Sequence, residues 1–321
     1  MALDDQTRVV CLAGGVGGAK LALGLSHILD PDHLTLVVNT ADDFEHLGLY
    51  ISPDVDTVMY TLAGLSNPKT GWGLAGETWN SLEAINRLGG DTWFRLGDHD
   101  LATHILRTDL LRQGKSFSAI CHLLSTKLGV KHTIIPMSDD PVRTIVHTDE
   151  GPLPFQEYFV HRRCEPRVRD FEFLGITSAQ PHPQLLGSLS QCDVLIYAPS
   201  NPYVSLAPIL NLKGVQEMIA TRRSSGMRVV AVSPIVGGAA IKGPAAKMMI
   251  ELGFESSVTA LAEHYVGSLD GLVIDQVDAT SAARIESLGM RVWVTDTIMK
   301  SEDDKIRLAQ EVIGFAKKFT G

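Results

Sequence analysis

A doubly wound, mostly parallel α/β sheet of the Rossmann-like type is the fold this sequence predicts, interrupted by a helical and β-rich insertion. Three observations carry the prediction. A short apolar run, a glycine-rich loop and a helical pattern follow one another near the N-terminus. A second apolar run closes a β-α-β unit, and such a crossover implies parallel strands. After residue 193, short apolar runs alternate with helical patterns to the end of the chain.

In chain order, Arg8 to Ala13 (RVVCLA) reads as a buried strand and Gly14 to Gly18 as a glycine-rich turn. Ala19 to Leu29 has apolar residues at 21, 22, 25, 28 and 29, the spacing of one helix face, and Asp30-Pro31 stops it. Leu34 to Val38 is the second strand. Residues 57–129 are mostly helical, with patterns near 77–88, 100–113 and 116–128. Residues 133–175 change character. Val142 to His147 and Phe155 to His161 read as strands around the turn Asp149-Glu150-Gly151-Pro152. Strands then follow at Asp193–Ala198, Arg228–Val232, Gly271–Ile274 and Arg291–Val294. Helical segments near 213–223, 244–252, 257–265, 279–288 and 302–318 lie between and after them. The expected organisation is a nucleotide-binding core from 1–56 and 190–321. The insertion spans 57–189, helical first and then β-rich.

The 321 residues suit one large domain or two small ones. A hydrophobic content of 45 % with 20 % charged residues excludes general disorder. The net charge is −9, from 28 basic and 37 acidic residues. That balance argues against a nucleic-acid partner, which needs a basic footprint, yet leaves room for small anions in a locally basic cleft. No uninterrupted apolar run reaches the roughly 18 residues of a membrane-spanning helix. Met1-Ala2-Leu3-Asp4-Asp5 lacks the basic and apolar regions of a signal peptide. Cys11, Cys121, Cys164 and Cys192 are scattered, with no C-x-x-C pair. The expectation is a reduced, cytoplasmic protein without a disulfide framework.

The loop Gly14-Gly15-Val16-Gly17-Gly18-Ala19-Lys20 joins a strand to a helix. Glycines let backbone approach a phosphate, and a helix N-terminus offers unpaired amides and a positive dipole end. Lys20 adds a charge. The loop is neither G-x-G-x-x-G, because position 20 is Lys, nor a Walker A loop, because G-K-[ST] is missing. Asn39-Thr40-Ala41-Asp42-Asp43 follows the second strand, and Asp54 and Asp56 enter a helix just beyond. Carboxylates at this edge suit Mg²⁺, which prefers oxygen, or a general base for a hydroxyl. N-capping is the structural alternative for Asp54 or Asp56. Asp100 reads as an N-cap and His104 as a packed core histidine; His99 and His104 lack zinc-site spacing. Pro199-Ser200-Asn201-Pro202 ends one apolar strand, and Ser233 to Gly238 ends the next, followed by Lys242-Gly243-Pro244. Two such turns and the glycine loop converge on one sheet edge, where ligands bind in this architecture. The cluster Arg162, Arg163, Arg167 and Arg169 reads as a solvated face or an anion contact.

These segments together resemble the 2-phospho-L-lactate transferase (CofD) family. The resemblance is carried in order by GGVGGAK, NTADD, SPDVDT, the GWG at 71–73, ETWN at 77–80, LGDHDLATH, SDDPVRT, PSNP, SPIVGG and KGP. It implies an α/β enzyme that helps build the deazaflavin coenzyme F-420. Such enzymes move a phospho-organic acid (phospholactyl, phosphoenolpyruvyl or phosphoglyceryl) from its guanosine diphosphate adduct to the terminal ribityl hydroxyl of the deazaflavin precursor Fo. GMP leaves and Mg²⁺ is required. By resemblance, Asp42 and Asp56 hold Mg²⁺ or assist the hydroxyl, and Asp56 and Arg95 bind Fo. Gly14, Gly15, Gly17, Gly18, Lys20, Ser200, Asn201, Gly237 and Lys242 bind the guanosine diphosphate part. The family also implies a homodimer. The chain departs from the frequent Gly-Asp-Arg-Asp pattern at Gly97-Asp98-His99-Asp100. Two rival readings are a non-catalytic, regulatory relative that binds a nucleotide sugar and a nicotinamide dehydrogenase. LGDHDLATH and SDDPVRT weigh against the first, and Asn39 in place of a ribose-binding acid weighs against the second.

Overall fold

The computed structural model describes residues 7–320, so the Met1–Asp5 stretch lies outside the described residues. Seven parallel strands form the central sheet: β1 (Val9–Ala13), β2 (Leu34–Val38), β3 (Thr133–Pro136), β4 (Val194–Tyr197), β5 (Arg228–Val232), β6 (Gly271–Asp275) and β7 (Arg291–Thr295). Their spatial order is β7-β6-β5-β4-β1-β2-β3. The strand order reverses between β1 and β4, and this is the switch point where a doubly wound sheet opens a crevice at its strand C-termini.

β1 explains why the sheet is buried on both sides. All five of its residues are buried, and they alternate between two apolar layers. Val9, Cys11 and Ala13 join helix α1 (Gly15–Ile28) and the C-terminal helix Glu302–Lys317. Val10 and Leu12 face the layer built with Leu185, Leu195, Ile219 and Leu261. α1 and the C-terminal helix meet so closely that a Cβ on Gly24 would lie 2.1 Å from the Lys305 carbonyl oxygen. Among the described residues, no helix is long and apolar enough to cross a membrane.

The expected α/β class and its parallel sheet are present, with three differences in detail. First, the helix begins at Gly15 rather than Ala19. Gly14 is extended and ends the strand, Gly15 turns the chain at φ +63°, and Gly17 and Gly18 already lie inside the helix. The glycines therefore serve close helix–strand packing as well as the turn. Second, β3 lies within the span 57–189, yet it pairs with β2 in the central sheet. Third, Phe155 to His161 is not a strand. The strand is Gly151–Pro154, and residues 157–161 form a wide helical turn closed by Arg162 N donating to the Glu157 carbonyl at 2.8 Å. Phe155 and Tyr158 are buried at helical spacing, which a short apolar segment disguises as a strand.

Two cross-braces position the insertion. Helix α2 (Pro53–Leu62) follows a short hairpin, Phe44–His46 with Leu49–Ile51, and packs on α1. Helices α3 (Asn80–Arg87) and α4 (Asp98–Arg112) cap each other. Asp98 accepts from the amides of Asn80 and Ser81, and Glu77 accepts from those of His99 and Asp100. Hydrogen bonds from the Thr78 hydroxyl first, and then from Ser81 and Asn80, hold the Asp98 carboxyl well below the usual carboxylate range. Asp100 is thus in the first turn of α4, not its cap.

Candidate active site

The crevice at the switch point is a cleft of about 570 Å³. The glycine loop forms its floor. Gly14, Gly15, Gly17 and Lys20 line it, as do Pro199, Ser200 and Asn201 from the end of β4. Gly17 is there for contact: a Cβ would lie 2.2 Å from the Pro199 carbonyl oxygen. Gly18 does not line the cleft. It packs beneath it, where a Cβ would come within 2.7 Å of Ser200 Oγ. Ser200 is a buried clamp that accepts from Gly14 N at 3.0 Å and donates to the Gly14 carbonyl at 2.8 Å. Asn201 Oδ1 accepts from Tyr203 N.

Two amides of the loop are therefore already used, Gly14 by Ser200 and Gly15 by Asp54 at 2.8 Å. Val16 and Gly17 are first-turn residues whose N–H groups have no acceptor inside the helix, so they remain for an anion. Lys20 donates to the Met299 carbonyl at 2.9 Å. Burial, then the neighbouring charges of Lys305 and Lys242, lower its pKa. Lys242 lines the cleft and reaches the Thr70 carbonyl at 3.4 Å. This corner is a cationic pocket over a helix N-terminus. Gly237 stands apart from it: its amide donates to Asp278, and it is not among the lining residues.

The acidic residues separate into two groups. Asn39 Nδ2 donates to both Asp42 and Asp54 at 3.0 Å, bridging their carboxylates. Burial and the Asp54 charge push Asp42 well above its ordinary value, and burial pushes Asp54 up to about 6. Asp42 Oδ1 is buried without a close hydrogen-bond donor among the described residues, the Thr144 hydroxyl being its polar neighbour. Asp56 belongs elsewhere. Arg107, fully buried on α4, holds it through both guanidinium nitrogens, one bond measuring 3.0 Å. The charge of Asp56 in turn raises the Arg107 pKa against the effect of burial. Neither Asp54 nor Asp56 caps its own helix, because Pro53 is already the first helical residue. Asp54 instead satisfies the start of α1.

His104 joins Asp56 to the cleft. Its Nδ1 lies 3.2 Å from Arg107 Nη1 and its Nε2 lies 3.2 Å from Asp100 Oδ1. Arg107 can only donate, so Nδ1 accepts and the proton sits on Nε2, facing Asp100. Tyr60 also donates to Asp100, at 2.7 Å. These partners and nearby Arg107 hold Asp100 below its ordinary value despite its burial.

Much of the remaining lining is aromatic: Trp72, beside the cationic corner where Lys242 meets Thr70, then Trp93, Phe94, Phe155 and Phe159, and Arg95 lies over the Trp79 ring at 4.3 Å. The predicted residues Asp42, Asp56, Arg95 and Lys242 thus share one cleft with the glycine loop. Reading the sequence missed Asn39, Arg107 and the pairing of Asp42 with Asp54. Asn39 at the end of β2 carried a usable signal, since a strand C-terminus aims its polar residues at the crevice.

The Asp42–Asp54 pair fits a hard cation. Two buried carboxylates, one with an unpartnered oxygen, are the donor chemistry that Mg²⁺ takes. Among the described residues, no cluster of three or more His, Cys, Asp or Glu side chains forms a metal cage. Mg²⁺ commonly uses only one or two carboxylates and completes its shell with phosphate and water.

Comparison with known proteins follows the same lines. The family model described as 2-phospho-L-lactate transferase CofD matches residues 9–312. The 2-phospho-L-lactate transferase of Methanosarcina mazei is 38 % identical over 305 residues, 95 % of this chain and 99 % of that protein. That of Methanopyrus kandleri is 40 % identical over 318 residues, covering 98 % and 99 %. The phosphoenolpyruvate transferase of Streptomyces avermitilis is 40 % identical over 317 residues, covering 97 % and 98 %. A crystal structure of a UPF0052 family member from Bacillus halodurans shares the fold at a TM-score of 0.61 and 16 % identity, over 96 % of this chain and 98 % of that one. On the family match and these identities, the chain belongs to the 2-phospho-L-lactate transferase (CofD) family.

Proposed function

We propose that this protein transfers a phospho-organic acid from its guanosine diphosphate adduct to the terminal ribityl hydroxyl of Fo, releasing GMP, in the biosynthesis of coenzyme F-420. The observation that supports this most is the mixed lining of a single cleft. It combines a helix N-terminus with Lys20 and Lys242, the aromatic side chains Trp93, Phe94, Phe155 and Phe159, and the carboxylates Asp42, Asp54, Asp56 and Asp100. That combination suits a diphosphate, a flat deazaflavin ring and a hydroxyl to be activated.

The residues act mainly by positioning and charge, as phosphoryl transfer requires. Val16 and Gly17 amides, Lys20 and Lys242 bind the diphosphate and stabilise the charge that grows on departing GMP. Trp93 and Phe94 offer a stacking surface for the ring, and Arg95 a donor at its edge. Asp42 and Asp54 would hold Mg²⁺, which supplies further charge neutralisation at the diphosphate when bound. Asp56, both of whose oxygens bind Arg107, acts by fixing α4 beside the cleft, and Asp100 offers an acceptor for the proton of the attacking hydroxyl.

Incubation with Fo, Mg²⁺ and a panel of guanylylated acids, followed by mass spectrometry of the product and measurement of GMP, tests the reading. A phosphodiester-linked Fo product with stoichiometric GMP is expected. Calorimetry should show GDP binding. Tight NAD binding with no response to GDP would sink the proposal.

A further inference from the structure

The sequence marks four clustered arginines, and the fold places one of them, solvent-exposed, along the lining of the cleft. Arg162 pairs with Glu150, and neither Arg167 nor Arg169 lines the cleft. Arg163 does line it. Its side chain makes no hydrogen bond or ion pair among the described residues.

The backbone at this point is unusual. Arg163 has φ +49° and Cys164 has φ +60°, two consecutive non-glycine residues in the left-handed region. A helical turn commonly ends on one left-handed residue, usually glycine. Two in succession, neither of them glycine or asparagine, carry a conformational cost that the surrounding structure must offset. Here the turn is held by Cys164 N donating to the carbonyl of fully buried Tyr158 at 2.9 Å, and by Glu165 N donating to the Arg162 carbonyl at 2.9 Å. The result is that Arg162 and Arg163 part company, one toward Glu150 and the other toward the cleft.

The position of Arg163 within the cleft narrows its ligand. Gln156, Phe159 and Val160 of the helical turn and Arg163 just beyond it all line the cleft. Gln156 Nε2 donates to the Asp42 carbonyl at 3.4 Å, so this wall borders the Asp42–Asp54 end. The cations of the opposite corner, Lys20, Lys242 and Lys305, are near enough to influence one another, and Arg163 is not part of that group. In a transfer reaction, the migrating group must lie between leaving group and acceptor. Phospholactate, phosphoenolpyruvate and phosphoglycerate share one feature besides the phosphate: a carboxylate. A planar guanidinium is the side chain best shaped to bind a carboxylate with two parallel hydrogen bonds.

We infer that Arg163 binds the carboxylate of the phospho-acid being transferred, so that the enzyme selects acids over neutral analogues through this contact. The inference rests on the transferase reading above. It makes Arg163 a specificity residue common to all three acids, not one that distinguishes among them.

The test compares two synthetic donors, guanylylated 2-phospholactate and its carboxamide counterpart, on the full-length wild type, Arg163→Met and Arg163→Lys. Wild type should prefer the acid in kcat/KM. Arg163→Met should lose about 10²-fold on the acid, the scale of a charge-assisted contact, and little on the amide. Arg163→Lys should retain an intermediate preference. GDP affinity should stay within about twofold, because the diphosphate corner is intact. Thermal melts should match, since this side chain bonds nothing in the fold. An unchanged preference for the acid in Arg163→Met overturns the inference. So does a parallel fall in GDP affinity, which would make Arg163 a diphosphate contact. Calorimetry with the two donors repeats the comparison without turnover. Binding that prefers the acid in wild type and not in Arg163→Met upholds the inference even if Fo is never a substrate, whereas absent transfer by wild type refutes the transferase reading.

Discussion

Asp56→Asn should destabilise this protein before it reports anything about chemistry. Arg107 is fully buried, and Asp56 is nearly so. The guanidinium meets the carboxylate through both terminal nitrogens, and His104 lies 3.2 Å from the first of them. Removing one partner of a buried pair leaves the other charge without compensation, a loss of about 3–5 kcal/mol. Asparagine keeps the volume and one oxygen acceptor, so the lower end, about 3 kcal/mol, is expected. For a chain of this size that is a fall of roughly 6 °C in Tm. Arg107→Met should cost more, about 4–5 kcal/mol, because it strands the carboxylate with no donor. The double variant Asp56→Leu with Arg107→Met should recover most of the loss, since apolar replacement of a buried pair is often neutral or better. Urea unfolding at one pH of wild type, Asp56→Leu, Arg107→Met and their double variant supplies the cycle, with Asp56→Asn measured beside it. An Asp56→Asn protein within about 0.5 kcal/mol of wild type would refute the reasoning. It would mean that the pair is open to water and that Asp56 is free for direct work on substrate.

Asp42→Asn and Asp54→Asn should each lower turnover about 10²-fold or more if they share Mg²⁺, and the two losses should not multiply; raising Mg²⁺ should partly rescue either single variant, and near-normal turnover in both would remove the metal assignment. Folded-state values of about 6 for Asp54 and about 7 for Asp43 lie above the ordinary carboxylate value. The folded chain therefore binds protons more tightly than the unfolded chain, and its metal-free stability should fall as pH rises from about 4 through 7. Melts in a chelator between pH 5 and 8 should show this slope, shallower in Asp54→Asn; a steeper slope there would contradict the assignment. Gly17→Ala should cost about 1–3 kcal/mol by overpacking against the Pro199 carbonyl. Its melt should fall along with nucleotide affinity, and an unchanged melt would mean that the β4 turn moves aside freely.

The first β-α-β unit, the late strands and the convergence of three turns on one edge were legible because each depends on local pattern. β1 and β4 are short and apolar, α1 has helical spacing, and Pro199 and Pro202 end β4 whatever surrounds them. The candidates share one cleft for the same reason: in a parallel sheet every βα turn faces one edge, so strand direction alone puts Asp42, Ser200 and the glycine loop together. Local pattern also misled at Phe155–His161, where two buried aromatics three apart look alike to a strand and a helical turn.

What the sequence could not decide is which partner each polar side chain takes. Asp54 and Asp56 are two residues apart on α2, which turns their side chains to different faces of the helix. One meets Asn39 and, through it, Asp42 from the turn after β2, and the other meets Arg107 from α4, 51 residues away in sequence. Nothing in SPDVDT distinguishes them, because the difference lies in what packs against each face. Arg163 is the same case in the backbone. Four arginines look equivalent in the chain, and a pair of left-handed residues, held by buried Tyr158, sets one of them, still solvent-exposed, at the mouth of the cleft. Composition and periodicity determined the sheet and the edge at which the cleft opens. Long-range packing decided the charges on that edge, because a buried carboxylate's behaviour is set by the groups that replace its water, and those come from other parts of the chain.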